Sequence, residues 1–352
     1  MQKKIIALAI ASALTAPALA FAEATVYGQV NLAVESVNDG ATSSTTNNQL
    51  NSYGSRFGLK GSEALDGGMS IVWMLEGNLA ADTGSTSAPT LFDRASQIGL
   101  KSDSMGTVLL GRQVTPYKGA TRRLDLFGDS AADTRNNGAA GLGHGHDVDA
   151  PNAVSYSSPS MSGLSVTLAS VFGAETAQVR GGIADTKGSA LGFNVMYDQG
   201  PLYVTLAYDS AKAGSPGSGD LAAAGLAGVN NESKVTMIGG SYSMDAITVN
   251  ADIEKFTDKD LGGSRETTGT NLYLGGKFAL SSTDAVKLAY TKLGETTTGG
   301  TKNADDAKRV AVGYDHSMSK MTSVYALYTK FTDNKSGNPD PSVLSVGIKH
   351  AF

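Results

Sequence analysis

The chain has 352 residues, with 28 lysines and arginines against 33 aspartates and glutamates, a formal net charge of −5, and no cysteine. That balance argues against nucleic acid as a partner, and the missing cysteines exclude both a disulfide framework and a thiolate metal site or nucleophile. Forty-three glycines against nine prolines, with a mean hydropathy close to zero, fit neither a disordered chain nor a bundle of membrane helices.

The first residues read as a leader. Lys3 and Lys4 give a basic start, Ile5 to Ala16 form an apolar stretch too short to span a bilayer, and Ala20-Phe21-Ala22 is a small-residue cleavage site. Residues 1–22 are therefore expected to be a signal peptide removed before Glu23, leaving 23–352 as the mature domain. Losing Lys3 and Lys4 leaves 26 basic against 33 acidic residues, a net charge of −7. An exported chain of this size without disulfides needs another source of stability, and extended hydrogen-bonded sheet supplies one.

Alternation begins at once. In Thr25–Glu35, Val26, Val30, Leu32 and Val34 alternate with Gln29, Asn31 and Glu35, so one face is apolar and the other wet. The pattern recurs through Leu202–Asp209, Ile247–Glu254, Asn271–Leu280, Arg309–Asp315 and Leu344–Phe352. Short turns fall near 64–67, 103–106, 158–162, 199–200, 244–245, 281–283 and 318–320. Between them lie long polar insertions near 36–54, 80–92, 114–150, 173–188, 211–231, 258–266, 294–306 and 332–341.

Seven short turns alternating with eight long loops imply about sixteen antiparallel strands, with one end elaborate and the other plain. This is the pattern of a transmembrane barrel of the outer membrane. A secreted β-sandwich is the alternative, but so many two-faced strands would put polar side chains into its core. In a bilayer a closed sheet pairs every backbone group, and about sixteen strands enclose a water-filled lumen.

One insertion stands apart. Thr115–Pro151 has no strand or helix periodicity and is longer than most connections in compact domains. Leu124, Leu126 and Phe127 give it an apolar anchor; Asp125, Asp129 and Asp133 are spaced to project together, and Arg122, Arg123 and Arg135 add opposite charge. It is expected to fold into the lumen.

The chain resembles the trimeric general-diffusion porins of Gram-negative outer membranes. The residues that carry the likeness are Thr25-Val26-Tyr27-Gly28, Ser55-Arg56-Phe57-Gly58-Leu59-Lys60-Gly61, Phe92-Asp93-Arg94 with Ile98-Gly99-Leu100-Lys101, Gly106 to Gln113, Asn152 to Pro159, and Val346 to Phe352. The resemblance implies passive diffusion of ions and small hydrophilic solutes through a homotrimer seated in outer-membrane lipids. It implies an eyelet in which loop carboxylates, here Asp125 and Asp129, face wall arginines, here Arg56 and Arg94, with Arg112 near the loop root and Lys60 further along the wall of Arg56. Strict alternation from Ile98 and Leu100 points Arg94 outward, so a bulge or its place near the strand end is expected to re-aim it. The terminal Phe352 is similar to the signal read by the outer-membrane insertion machinery. The chain departs from the family at the loop tip, Leu124-Asp125-Leu126-Phe127-Gly128, and before Asn152, where Asp147 and Asp149 stand in place of a base.

No enzyme, cofactor or metal site is expected. His144-Gly145-His146-Asp147 has ligand types but lies in a glycine-rich loop without a fourth ligand or rigidity. His316 and His350 fall at strand ends, and the serines cluster in turns, so no nucleophile–base–acid set stands out. An outer-membrane protease or lipase is the rival reading, separable by bilayer conductance against hydrolysis. A gated receptor carries an N-terminal plug, for which no room is expected ahead of the first strand.

Overall fold

The computed structural model describes residues 23–41, 43, 45–86, 90–135, 141–172, 188–212, 231–260, 265–335 and 338–352. The leader and most of the expected 173–188 and 211–231 insertions lie outside them. Sixteen membrane-length strands form one closed antiparallel sheet. They are β1 (Glu23–Asn38), β2 in two runs (Thr46–Ser52 and Arg56–Leu65), β3 (Met69–Ala80), β4 (Ala95–Ser102), β5 (Gly106–Val114), β6 (Asp149–Ser157), β7 (Leu164–Phe172) and β8 (Ser189–Gln199). The second half is β9 (Leu202–Lys212), β10 (Asn231–Met244), β11 (Ile247–Asp260), β12 (Glu266–Ala279), β13 (Asp284–Leu293), β14 (Ala307–Ser317), β15 (Thr322–Asp333) and β16 (Ser342–Ala351).

Each strand pairs with its sequence neighbours, and β1 closes the ring on β16 with Val34 opposite Val346 and Leu32 opposite Ile348. No edge remains, so every ladder group has a partner where lipid offers none. Register follows from the two faces, because a one-residue slip would turn the whole apolar set inward. Val26, Val34, Phe57, Ile98, Leu110 and Val346 are exposed on the outside, whereas Gln29, Asn31, Glu35, Asn250, Asp252 and Asn271 are buried on the lumen side. Near the short-turn end Tyr156, Tyr197, Tyr242, Phe278, Tyr314 and Phe352 stand exposed as an aromatic girdle.

Two expectations are corrected here. The 36–54 insertion is mostly strand: β1 runs to Asn38, and the first run of β2 pairs back on it from Thr46 to Ser52. The pair is solvated above the membrane, so its polar side chains hid the ladder from hydropathy. The 115–151 insertion is not wholly aperiodic either. It opens with helix α1 (Pro116–Thr121), capped by the Thr115 hydroxyl accepting from the Lys118 amide at 3.2 Å and started by a proline at its first position. One and a half turns are too short to show a period. The insertion ends where β6 begins at Asp149.

Phe352 closes the sheet. Its amide donates to the Gly28 carbonyl at 3.1 Å and its carbonyl accepts from the Gly28 amide at 3.0 Å. The ring lies where a side chain at position 28 would stand, 2.7 Å from an added Cβ, which explains a glycine in the middle of β1.

Candidate functional site: the lumen constriction

The long loop after β5 is fixed to the inner wall by its backbone and by buried charge. Asn194 on β8 donates to the Pro116 carbonyl at 2.6 Å, Tyr203 on β9 to Ala120 at 2.9 Å, and Asn250 on β11 to Leu124 at 2.8 Å. The Leu126 amide donates to the Tyr273 hydroxyl of β12 at 3.0 Å. Tyr117, Ala120 and Leu124 pack with Tyr203, Ala207, Val235, Met237 and Phe256, and Phe127 packs with Ala132, Ala311 and Leu327. A water-filled barrel thus acquires an apolar core, but only where the loop covers the wall.

The returning half carries a buried ion cluster. Arg135, with no exposed side-chain surface, donates to Asp252 at 2.5 Å and Glu254 at 2.7 Å on β11. The Gly143 amide donates to the second oxygen of Glu254 at 2.7 Å. His144 contacts Asp258 at 2.6 Å and stacks on Phe256, and buried His146 contacts the Ser233 hydroxyl at 2.9 Å. Both histidines therefore tie the loop to the wall, and among the described residues no three potential ligands cluster for a metal.

The tip crosses to the opposite wall. Asp129, at φ 57°, accepts from Arg56 at 3.1 Å and from Gln29 at 3.2 Å, while its carbonyl accepts from Asn31 at 2.8 Å. Gly54, at φ 59°, lies against this carboxylate, and a Cβ there would overlap it. Burial acts against the Asp129 anion, but the Arg56 guanidinium prevails and holds its pKa below the usual value.

Between tip and wall lies an opening of about 660 Å³ lined by Arg56, Asn78 and Arg94 on the wall and by Lys118, Arg122, Asp125 and Asp129 on the loop, with Asp149 at the loop root. Arg94 lies one residue ahead of β4, so strand alternation does not bind its side chain, and it needs no bulge. Its Nε donates to Glu76 at 2.5 Å and its Nη1 to Asn78 at 3.1 Å. Lys118 pairs with Asp149 at 2.9 Å, and Arg122 sits between Asp133 at 2.8 Å and Asp147 at 2.9 Å. Asp125 differs: one carboxylate oxygen accepts from the Phe127 amide at 2.8 Å, and the other is buried without a hydrogen-bond partner. Burial and the neighbouring Asp133 carboxylate push its pKa up to about 6.

Four of the six residues expected at the constriction, Arg56, Arg94, Asp125 and Asp129, thus line one opening, and two do not. Arg112 pairs in register with Ser96, on the outward face shared by Ile98 and Leu110, and its Nε donates to the Asp93 carbonyl. Plain alternation from Val108 and Leu110 puts Arg112 outward and Gln113 inward, where Gln113 accepts from the Ser155 hydroxyl, and the register shift beside them places its extra residue on β6. Lys60 faces the lumen but lies four residues along β2 from Arg56, roughly 13 Å toward the short-turn end, with its ammonium 4.7 Å from the Tyr27 ring centroid. Lys118 escaped notice because a single lysine in a loop carries no pattern. Arg135 was visible only as loop charge, although the acids at Asp252 and Glu254, two apart on a wet strand face, were the signal for its partner.

The geometry has close parallels. Residues 7–336 match the family model for Gram-negative porins. The chain is 29% identical to outer membrane porin protein 32 of Delftia acidovorans and 26% identical to an outer membrane porin protein of Bordetella pertussis, each alignment covering both chains completely. The solved anion-selective porin from Comamonas acidovorans superposes with a TM-score of 0.77 at 24% identity, over 94% of this chain and 100% of that one. The chain therefore belongs to the Gram-negative porins, outer-membrane barrels that serve as channels for passive diffusion and not as enzymes.

Proposed function

We propose that the loop after β5 sets the channel's narrowest point and that the opening between it and the β2–β4 wall is a charge-compensated filter for ions and small hydrophilic solutes. One observation carries this reading: every base at the opening has a carboxylate partner, Arg56 with Asp129, Arg94 with Glu76, Lys118 with Asp149, and Arg122 with Asp133 and Asp147. Charges separated by less than the ~8 Å Debye length of physiological salt are only partly screened, so each still biases a passing ion. With the pairs balanced, the net preference between cations and anions is weak.

The test is the reversal potential of single channels in a salt gradient. Asp125→Asn with Asp129→Asn shifts it toward anions, and Arg56→Gln with Arg94→Gln toward cations. If both double variants keep the wild-type reversal potential and conductance, the loop is not the constriction.

Three further roles belong to the same reading. Residues 1–22 direct export and are removed. The outer faces of three copies pack together as a homotrimer, with the 80–92 loop reaching the neighbouring subunit. Phe352, exposed on the lipid side of β1, is the assembly signal for the insertion machinery.

A further inference from the structure

Below the loop tip, toward the short-turn end, a second cavity of about 370 Å³ opens between Phe127, Gly128 and Asp129 on the loop and the wall from β12 to β1. Lys277, Lys287 and Lys349 line it. Lys277 and Lys287 are direct register partners on adjacent strands, both facing the lumen. Directly opposed residues have Cβ atoms ~5 Å apart, and like charges in that position are destabilising. A fold gains nothing from this pairing unless something negative sits over it.

The carboxylates of the cavity are already engaged. Asp315 pairs with Lys287 at 2.8 Å, which also places its ammonium 4.9 Å from the Phe127 ring centroid. Asp129 pairs with Arg56. Asp284 accepts from the hydroxyls of Ser281 and Tyr314 at 2.5 Å and from that of Thr283 at 2.7 Å, and His316 lies at 2.8 Å. Among the described residues neither Lys277 nor Lys349 has a carboxylate within salt-bridge distance. Two lumen-facing ammonium groups are left over, beside the hydroxyls of Ser317 and Ser323.

We propose that this vestibule is an anion subsite distinct from the constriction, in which Lys277 and Lys349 hold a small oxyanion of charge −2 such as sulfate or hydrogen phosphate. Two unpaired cations match two negative charges, whereas chloride satisfies only one. The hydroxyls supply donors that an oxyanion can use from several oxygens at once. The site relies on the channel conducting but not on where the narrowest point lies.

The experiment uses the intact channel in planar bilayers carrying chloride current, with sulfate or phosphate added to one side at a time. Sulfate reduces the wild-type chloride current at lower concentration from the short-turn side than from the long-loop side. Lys277→Gln and Lys349→Gln each raise the half-inhibiting concentration about thirtyfold, as expected when a dianion loses one unit charge at ~4 Å in a water-filled site, and the double variant raises it further. Phosphate behaving like sulfate supports a general oxyanion site, and inhibition by sulfate alone supports one selective for that geometry. Inhibition that is equal from both sides, or unchanged in the double variant while its heat-modifiable fold is intact, overturns the proposal. The variants at Arg56 and Arg94 leave the side-dependence in place, so failure of the constriction and failure of this subsite read out separately.

Discussion

Replacing Arg135 with methionine tests whether the loop is held by its buried charge cluster. The guanidinium is fully enclosed and bridges Asp252 and Glu254, so its loss leaves two carboxylates buried without their cation. Breaking a buried pair by removing one partner costs about 3–5 kcal/mol. At ~1.4 kcal/mol per tenfold, the local opening of the returning half of the loop becomes between a hundredfold and a few thousandfold more frequent. The barrel itself is unaffected, because its closure is made of backbone ladders. The Tyr203, Asn250 and Tyr273 hydrogen bonds also keep the first half of the loop docked. The expected outcome is strong open-channel noise with excursions to higher conductance. Hydrogen exchange should be faster at the Leu142 and Gly143 amides, which donate to Thr134 and Glu254. Adding Asp252→Asn and Glu254→Gln to the same chain removes the stranded charges and recovers most of the quiet behaviour. If Arg135→Met alone shows wild-type noise and unchanged exchange at those two amides, the cluster does not anchor the loop.

Protonation gives a second handle. The pKa of Asp125 is raised to about 6, so the folded chain binds this proton more tightly than the unfolded chain does; the group favours the docked loop as pH falls from 7 toward 4 and disfavours it above 6. Over the same interval the opening loses one negative charge, so the reversal potential drifts toward anions between pH 7 and 5, and Asp125→Asn abolishes the drift. Deleting Phe352 lowers the amount of folded protein in the outer membrane far more than it changes the conductance of the channels that do insert; normal surface levels would refute its signal role. In mild detergent the unheated protein is expected to migrate as a trimer and to become monomer only on boiling, and monomer migration without heat would count against that assembly.

The barrel was legible in the sequence because its rule is local. Each strand must show lipid an apolar face and water a polar one, so Val26 to Val34 or Ile247 to Ile253 declares itself within a few residues, and glycine-rich or aspartate-rich turns mark the ends. Arg56 could be placed inside from its own strand alone, since Phe57 and Leu59 occupy the other face. The loop after β5 was visible as a long polar insertion with an apolar anchor, but its path was not, because its partners on the wall, such as Arg56 for Asp129 and Tyr273 for Leu126, lie 73 and 147 residues away in sequence. Arg135 finds Asp252 and Glu254, and Asp129 finds Gln29 and Arg56, only when the sheet has closed. Arg94 shows the same limit at closer range: alternation pointed it outward, yet it precedes its strand and bonds to Glu76, whereas Arg112 lies outside as alternation from Val108 and Leu110 requires. The opposed lysines 277 and 287 likewise exist as a pair only through the register of β12 on β13. Alternation sets which face a residue takes, whereas closure and register decide which charges meet across the lumen, and it is those meetings that determine what passes.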